Sequence, residues 1–105
     1  MGVKILYSTF PSVVSAEAAA RRLVEARLAA CGNILPALVS IYEWQGKLER
    51  SEEVILLLKT TADAAPAAMA ALRAAHPYEV PAILLLGVEE ALPAFGAWVA
   101  AQTEG

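Results

Sequence analysis

The chain of 105 residues is long enough for one domain with a buried core and too short for two, so we treat residues 1–105 as a single domain. Its net charge of −3 provides no positive field for a phosphate backbone, and nucleic acid is therefore not an expected partner. No segment has the length and apolarity of a membrane span, and Met1 to Lys4 lacks the pattern of a signal peptide. We expect a cytoplasmic protein without membrane insertion.

The chain begins with a predicted strand and a predicted helix. The apolar run Val3 to Thr9 ends before Pro11, which is typical of a short strand. Ser12 is then a predicted N-cap of a helix that extends to about Ala29. Its apolar stripe is predicted to comprise Val13, Ala16, Ala20, Leu23, Val24 and Leu28.

The run from Ile34 to Thr61 contains one turn, at Gln45-Gly46, and predicts a very long β-hairpin. Strands of about fourteen residues would reach about 45 Å, whereas the radius of gyration of a compact chain of this length is about 13 Å. Such a hairpin overhangs its own domain. Because two unsupported apolar strands are only marginally stable in water, we expect the chain to form oligomers, with Tyr42 and Trp44 at the interface. The Glu52-Glu53 pair is interpreted as solvated surface.

Two further helices are predicted in the second half of the chain. The first runs from Pro66 to about Ala75 and ends before His76-Pro77, because the residue before a proline is disfavoured in helical geometry. Pro93 begins a short C-terminal helix, with Phe95 and Trp98 on or near its buried face.

The apolar run Ile83 to Val88 is the fourth predicted strand. The resulting order β-α-β-β-α-β plus one helix predicts an α+β, ferredoxin-like sandwich with the long hairpin. That topology places the fourth strand at a sheet edge, although the strand is apolar on both faces. A neighbouring subunit is the simplest cover, so Ile83 and Leu85 join the predicted interface.

Motifs for most kinds of catalysis are absent from the sequence. It contains no phosphate-binding loop, no dinucleotide fingerprint, no zinc-protease helix and no nucleophile elbow. Cys31 and His76 could pair as nucleophile and base, but no third residue is identifiable to orient them. We therefore expect a protein that is not an enzyme.

Five strings distributed along nearly the whole chain carry a family resemblance. The strings are Leu28-Ala29-Ala30-Cys31, Asn33-Ile34-Leu35-Pro36, Ser40-Ile41-Tyr42-Glu43-Trp44-Gln45-Gly46-Lys47, Leu58-Lys59-Thr60-Thr61 and His76-Pro77-Tyr78-Glu79-Val80-Pro81. Together they resemble the CutA divalent-cation tolerance family. The resemblance implies a ferredoxin-like protomer, a homotrimer assembled through the hairpins, and a role in tolerance of divalent metal ions, with copper binding reported for members of the family. No cofactor is implied beyond copper or another divalent ion.

The copper ligands proposed in that family fall at positions where this chain has poor ligands. The resemblance places them at Ser8, Ala75 and Ala82, whereas copper(II) favours imidazole, thiolate and carboxylate donors. A metal site in this chain would have to use Cys31, His76 or a carboxylate such as Glu79. The alternatives are that Cys31 is a small buried hydrophobic residue and that His76 bonds the last carbonyls of its helix.

Two other functions remain open at this point. One is a PII-like trimeric signalling module that binds a small anionic ligand in inter-subunit clefts lined by Lys59, Thr60, His76 and Tyr78. Lys59 has the alternative of extending from the sheet into solvent. The other is a trimeric scaffold whose role is to bind a partner protein.

Overall fold

The computed structural model describes residues 2–104 and confirms the predicted α+β architecture of one sheet and helices. None of the helices within this range is long and apolar enough to cross a bilayer. In chain order, the elements are β1 (Val3–Phe10), α1 (Val13–Glu25), β2 (Cys31–Trp44), β3 (Lys47–Thr61), α2 (Ala65–Ala75), β4 (Ile83–Gly87) and α3 (Pro93–Gln102).

The four strands form one antiparallel sheet in the order β2-β3-β1-β4. This is the arrangement that the ferredoxin-like βαββαβ order predicts, with the first and third strands in the centre. The fourth strand lies at an edge, as predicted, and β2 forms the other edge.

One face of the sheet is covered by α1 and α2, and the core lies between them. Alternation along β3 directs Leu56 and Leu58 to this face, and Leu58 pairs with Leu6 of β1. All three side chains are fully buried. Leu23 of α1 and Leu72 of α2 complete the same cluster. The opposite face, which α1 and α2 leave uncovered, is called the open face below.

The long hairpin is present as predicted. Its strands have 14 and 15 residues, and the longest dimension of the molecule is 45 Å. The turn residues Gln45 and Gly46 have φ of 53° and 82°. Two successive residues with positive φ are characteristic of the tight turn whose twist matches that of paired strands, and glycine adopts this conformation without steric cost.

A bulge in β2 was not predicted. The pairing of β2 with β3 shifts between Leu35 and Leu38, and Ala37 has a φ of 68°. Pro36 lies within the bulge, at a sheet edge, where its missing N–H removes no hydrogen bond from the centre of the sheet. A β-bulge increases the local twist of its strand and changes the direction in which the following side chains point.

The first helix ends four residues earlier than predicted, at Glu25 rather than at about Ala29. Arg27 adopts a φ of 61°, which cannot continue a helix. The N–H of Leu28 donates to the carbonyl of Leu23 at 2.9 Å, closing the helix end in the manner of a Schellman motif. Arginine is an uncommon residue at this position, so the sequence carried no glycine to indicate the end.

Two predictions of buried helix faces were wrong in part. In α1, Val13 and Val24 are 42% and 39% exposed, because the stripe that faces the sheet consists mainly of small alanine side chains. In α3, Phe95 and Trp98 are 38% and 43% exposed and tilt against each other with ring centroids 5.8 Å apart. Only Val99 of that helix is fully buried.

Candidate functional site

A cleft of about 530 Å³ opens on the open face, between the hairpin and the loop formed by residues 76–82. We call it the hairpin cleft. Its volume lies in the range typical of small-molecule sites. Aromatic, acidic and hydroxyl side chains predominate in its wall: Tyr7, Tyr42, Trp44, Tyr78, Glu53, Glu79, Thr9 and Ser40.

Strand alternation explains why the hairpin contributes these side chains. Ser40, Tyr42 and Trp44 alternate along β2 and pair across the turn with residues of β3, which places all three on the open face. The hydroxyl of Tyr42 lies 3.3 Å from the Oγ of Ser51 on the neighbouring strand, which ties that side chain to β3. Alternation along β2 therefore groups these hairpin side chains on one face of the sheet.

Glu53 is the buried carboxylate of the cleft and corrects the interpretation of Glu52-Glu53 as solvated surface. Its side chain is on the open face, but the residue is only 8% exposed because the loop that carries Tyr78 folds over it. The hydroxyl of Tyr78 donates to Oε2 of Glu53 at 2.6 Å. Burial and this hydrogen bond raise the pKa of Tyr78 well above its ordinary value, so the phenol stays protonated.

The second oxygen of Glu53, Oε1, is accessible, and the residue lines the cleft. Oε1 has no hydrogen-bond partner among residues 2–104, whereas every fully enclosed side-chain oxygen or nitrogen in that part of the chain has one. An oxygen that lacks a partner and is not enclosed must therefore be accessible to a ligand or to water. Sequence reasoning missed this residue, although alternation places Glu53 on the same face as Tyr42 and Trp44.

His76 is buried and fully hydrogen-bonded. Its Nε2 donates to the carbonyl of Thr9 at 2.9 Å and lies 3.1 Å from the Oγ of Ser8, while its Nδ1 accepts from the N–H of Tyr78 at 3.1 Å. The ring stacks on Phe10 with centroids 4.1 Å apart. Burial lowers the pKa of His76, although the bond to Thr9 opposes the shift. The imidazole is therefore neutral and positions Tyr78; it bonds β1 rather than the last carbonyls of α2.

The four predicted cleft residues do not lie together within the protomer. Thr60 is fully buried on the helix-covered face and donates to the carbonyl of Leu28 at 2.7 Å, so it lines no cleft. Lys59 is on the open face, where it donates to Oδ1 of Asn33. Six residues of strand, about 20 Å, separate Lys59 from Glu53. Of the predicted set, only Tyr78 lines the hairpin cleft, and His76 contacts Tyr78 without being part of the wall.

The three predicted metal ligands are also apart. Cys31 is half-buried on the open face, opposite Lys59, whereas His76 bonds Ser8 on the covered face. Glu79 is exposed at the hairpin cleft. Within residues 2–104, no three His, Cys, Asp or Glu side chains are close enough to share an ion.

The family's proposed copper site does not fit this chain. The hydroxyl of Ser8 is buried against His76, whose two ring nitrogens both have hydrogen-bond partners. The methyl side chains of Ala75 and Ala82 offer no donor atom. Neither copper(II) nor a similar ion would find the imidazole, thiolate and carboxylate donors that it prefers at these positions.

The predicted interface residues have two different environments. Tyr42, Trp44 and Leu85 are each more than two-fifths exposed and present apolar surface to the outside of the protomer. Ile83 instead packs against the protomer's own core. Because side chains alternate along β4, Leu84 lies on the open face and Ile83 lies on the covered face.

The fold and the cleft define a small ferredoxin-like protein with an overhanging hairpin, a ligand-sized cleft and no assembled three-ligand metal centre in residues 2–104. The model of the CutA1 divalent ion tolerance protein family matches residues 4–102. The chain belongs to that family.

Comparisons with individual proteins agree with this assignment. The divalent-cation tolerance protein CutA of Thermus thermophilus is 42% identical over 100 residues, which are 95% of this chain and 97% of that protein. The crystal structure of CutA from Xylella fastidiosa has a TM-score of 0.95 and 41% identity, covering 99% of this chain and all of that one. Protein CutA of Mus musculus is 42% identical over 97% of this chain, which spans only 58% of the mouse protein.

Proposed function

We propose that the protein acts in the cellular response to divalent cations as a non-catalytic, cytoplasmic homotrimer that needs no cofactor. The observation that carries this proposal is the family match over nearly the whole chain, together with bacterial relatives named divalent-cation tolerance protein. A match of this extent makes a shared role more plausible than a shared fold alone would.

The homotrimer is supported by the apolar surface that the protomer leaves uncovered. Leu84 and Leu86 on β4 are 52% and 42% exposed, and Trp44 near the end of the hairpin is 44% exposed. These side chains belong to the two edge strands of the sheet, and large apolar side chains exposed at sheet edges favour association. Burial against further copies of the chain would also protect the two sheet edges.

Direct binding of copper or another divalent ion would have to use residues other than the family's proposed ligands. Cys31 offers a free sulfur donor and Glu79 an exposed carboxylate. They share no site in one protomer. Direct binding would therefore combine donors from neighbouring subunits or use few protein ligands, and it would be weaker than in a closed site.

Equilibrium dialysis against copper(II) at neutral pH tests direct binding, with the oligomeric mass measured on the same tag-free sample. We expect saturable binding at a fixed number of ions per trimer, lost in Cys31→Ala or in Glu79→Gln. A folded trimer without saturable binding would contradict direct binding. In cells that lack their own relative, expression of this chain should restore growth at raised copper concentration, and unchanged growth would contradict the tolerance role.

The hairpin cleft favours a second candidate function, a PII-like module that binds a small molecule. Its size suits a metabolite, and Glu53 and Tyr78 are already hydrogen-bonded to each other within it. Retention of a small molecule by the purified native protein, identified by mass spectrometry after denaturation, tests this candidate.

A further inference from the structure

We propose that a second copy of the chain completes the site around Glu53, with the ammonium group of its Lys59 donating to Oε1 of Glu53 across the subunit interface. The inference rests on the proposed homotrimer and names the charged groups that align its subunits. A closed trimer would contain three equivalent pairs, because each subunit contributes Lys59 to one neighbour and receives it from the other.

The charges of Glu53 and Lys59 are both unbalanced within the protomer. Glu53 is 8% exposed, and its side-chain hydrogen bond within residues 2–104 comes from the neutral phenol of Tyr78. Lys59 is half-buried and donates to the side-chain amide of Asn33, which is also neutral. The two ion pairs within residues 2–104 involve neither residue. Because a partly desolvated charge without a counter-charge is unfavourable, each residue favours a group of opposite sign from outside the protomer.

The two residues cannot pair with each other in one protomer. They lie on the open face of β3, six residues and about 20 Å apart. Ile55 and Leu57 lie between them on the same face and are half-buried. This part of the open face therefore has an acidic end, an apolar middle and a basic end. A second copy that covers the apolar middle can place its basic end against the acidic end, whereas the opposite alignment would bring like charges together.

Lys47 is the only other basic residue that the strands of residues 2–104 place on the open face, and it also lies six residues from Glu53. It is exposed beside the hairpin turn, where water solvates its charge. Lys59 instead pairs with Ile5 of β1, and Leu86 of β4 continues that row to the sheet edge. A contact that covers this apolar row also removes Lys59 from water. A carboxylate partner therefore matters more for Lys59 than for Lys47.

A free cation would satisfy only half of this arrangement. An ion bound to Oε1 of Glu53 would leave the charge of Lys59 unbalanced and the apolar middle of the face uncovered. A second copy supplies a cation for Glu53, a carboxylate for Lys59 and cover for Ile55 and Leu57 in one contact. The open face therefore favours another copy of the chain over a small ion.

A double-mutant cycle on trimer dissociation tests the pairing. Sedimentation equilibrium in a series of urea concentrations measures the dissociation constant of the native full chain and of its variants. Glu53→Gln keeps an acceptor for Tyr78 and Lys59→Met keeps the apolar stem, so each removes one charge. We expect each substitution to raise the dissociation constant at least about tenfold. Because both remove the same interaction, the double variant should lie within about threefold of the more affected single variant.

Lys47→Met is the matched control, because Lys47 is as far from Glu53 along β3 as Lys59 is. It should leave the dissociation constant within about threefold of the unmodified value, and its effect should multiply with that of Glu53→Gln. Lys59→Arg keeps the charge and should weaken the trimer less than Lys59→Met does. Circular dichroism of each variant should match that of the unmodified protein, since none of the substitutions touches the buried apolar core.

The pairing would be wrong if the effects of Glu53→Gln and Lys59→Met multiply, if neither weakens the trimer, or if Glu53 is coupled to Lys47 instead. Equal weakening by Lys59→Arg and Lys59→Met would also contradict it, because the charge would then not matter. An unmodified chain that sediments as a monomer would contradict the proposed homotrimer and, with it, the pairing. A stable trimer in which the two effects multiply would contradict the pairing alone, so the two failures are distinguishable.

Discussion

The two faces of the sheet differ in how completely the protomer covers them. Leu56 and Leu57 are consecutive residues of β3, yet Leu56 is fully buried beneath the helices while Leu57 on the open face is only half-buried. The polar groups differ in the same way. On the covered face, Ser8 lies within hydrogen-bond distance of His76, and Thr60 bonds Leu28, whereas Glu53 on the open face has an oxygen without a partner in residues 2–104.

The covered face of the sheet stabilises the fold of the protomer, whereas the open face remains available for binding. The covered face is complete within one protomer. Helices α1 and α2 bury its apolar side chains, and its buried polar side chains have hydrogen-bond partners within residues 2–104. The open face carries leucines and aromatic side chains at the two sheet edges that the protomer does not bury. Contacts with other molecules are therefore expected on the open face, and variants of the two faces should have different effects.

The largest effect is expected for Leu84→Glu, which places a charge in the apolar surface of β4. The side chain is 52% exposed in the protomer, so the variant should fold, but an unpaired carboxylate in a subunit interface is strongly unfavourable. Sedimentation velocity should give a trimer mass for the unmodified protein and a monomer mass for the variant.

Val14→Glu is the control for this prediction. Val14 is 79% exposed and lies on α1, which covers the other face of the sheet. It should leave the mass unchanged. An unmodified chain that sediments as a monomer, or a Leu84→Glu variant that remains a trimer, would show that the open face is not the interface.

The next effect is expected for Leu56→Ala, compared with Leu57→Ala. Removing the fully buried Leu56 side chain leaves a cavity and should lower the free energy of unfolding by about 2–5 kcal/mol at every protein concentration. Leu57→Ala should cost less, and its cost should shrink on dilution as the trimer dissociates. Urea unfolding at several protein concentrations measures both. Equal, concentration-independent losses would mean that the two faces are equally covered within one protomer.

A smaller effect on the covered face is expected for Gly32→Ala. A Cβ at this residue of β2 would lie 3.1 Å from Cδ2 of Leu58 and 3.2 Å from Cβ of Ala20, so α1 would have to shift slightly. We expect a loss of about 1 kcal/mol in the free energy of unfolding. Gly87→Ala on β4 is the matched control, because its nearest neighbour is the flexible Lys4 side chain at 3.7 Å. Replacing glycine by alanine lowers the entropy of the unfolded chain, which favours stability. A loss as large in Gly87→Ala would therefore mean that the close contacts at Gly32 are not the cause of the loss.

The sequence predicted the features that depend on local chemistry. Ser12 caps α1 as expected, since its Oγ accepts from the N–H of Ser15 at 3.1 Å. The turn at Gln45-Gly46 was equally predictable, because glycine adopts the positive φ that a tight hairpin turn requires. Successive side chains of a strand point to opposite faces, so the alternation along the hairpin also follows from the sequence. From these elements and their order the strand arrangement followed.

Features that depend on distant parts of the chain were not predictable in the same way. Glu53 is buried only because the loop that carries Tyr78, 25 residues further on, folds over it. The early end of α1 depends on Arg27, whose side chain donates to the carbonyl of Ala101 in the last turn of α3 and to that of Glu104 just beyond it. Neither contact has a local sequence signal, so a solvated glutamate and a longer helix were the reasonable expectations.

The smallest effect, a pH dependence of stability, is expected from His76, the single histidine of the chain. Burial lowers the pKa of His76 below its ordinary value of 6.5; the bond to Thr9 and the charge of Glu53 oppose this shift, whereas that of Arg73 adds to it. Protonation at Nδ1 would also break the hydrogen bond from the N–H of Tyr78. Below pH 6.5 the unfolded chain therefore binds a proton that the folded chain does not.

The free energy of unfolding should accordingly be constant with respect to this group above about pH 6.5 and decrease as the pH falls toward the lowered pKa of the folded state. Urea unfolding at intervals between about pH 5 and 7.5 measures the slope while most carboxylates remain ionised. His76→Gln can still donate to Thr9 but does not titrate, so its profile should be flatter in that window. Equal slopes in the two proteins would mean that His76 is not held neutral. The hydrogen bond by which its Nδ1 positions Tyr78 would then not be maintained.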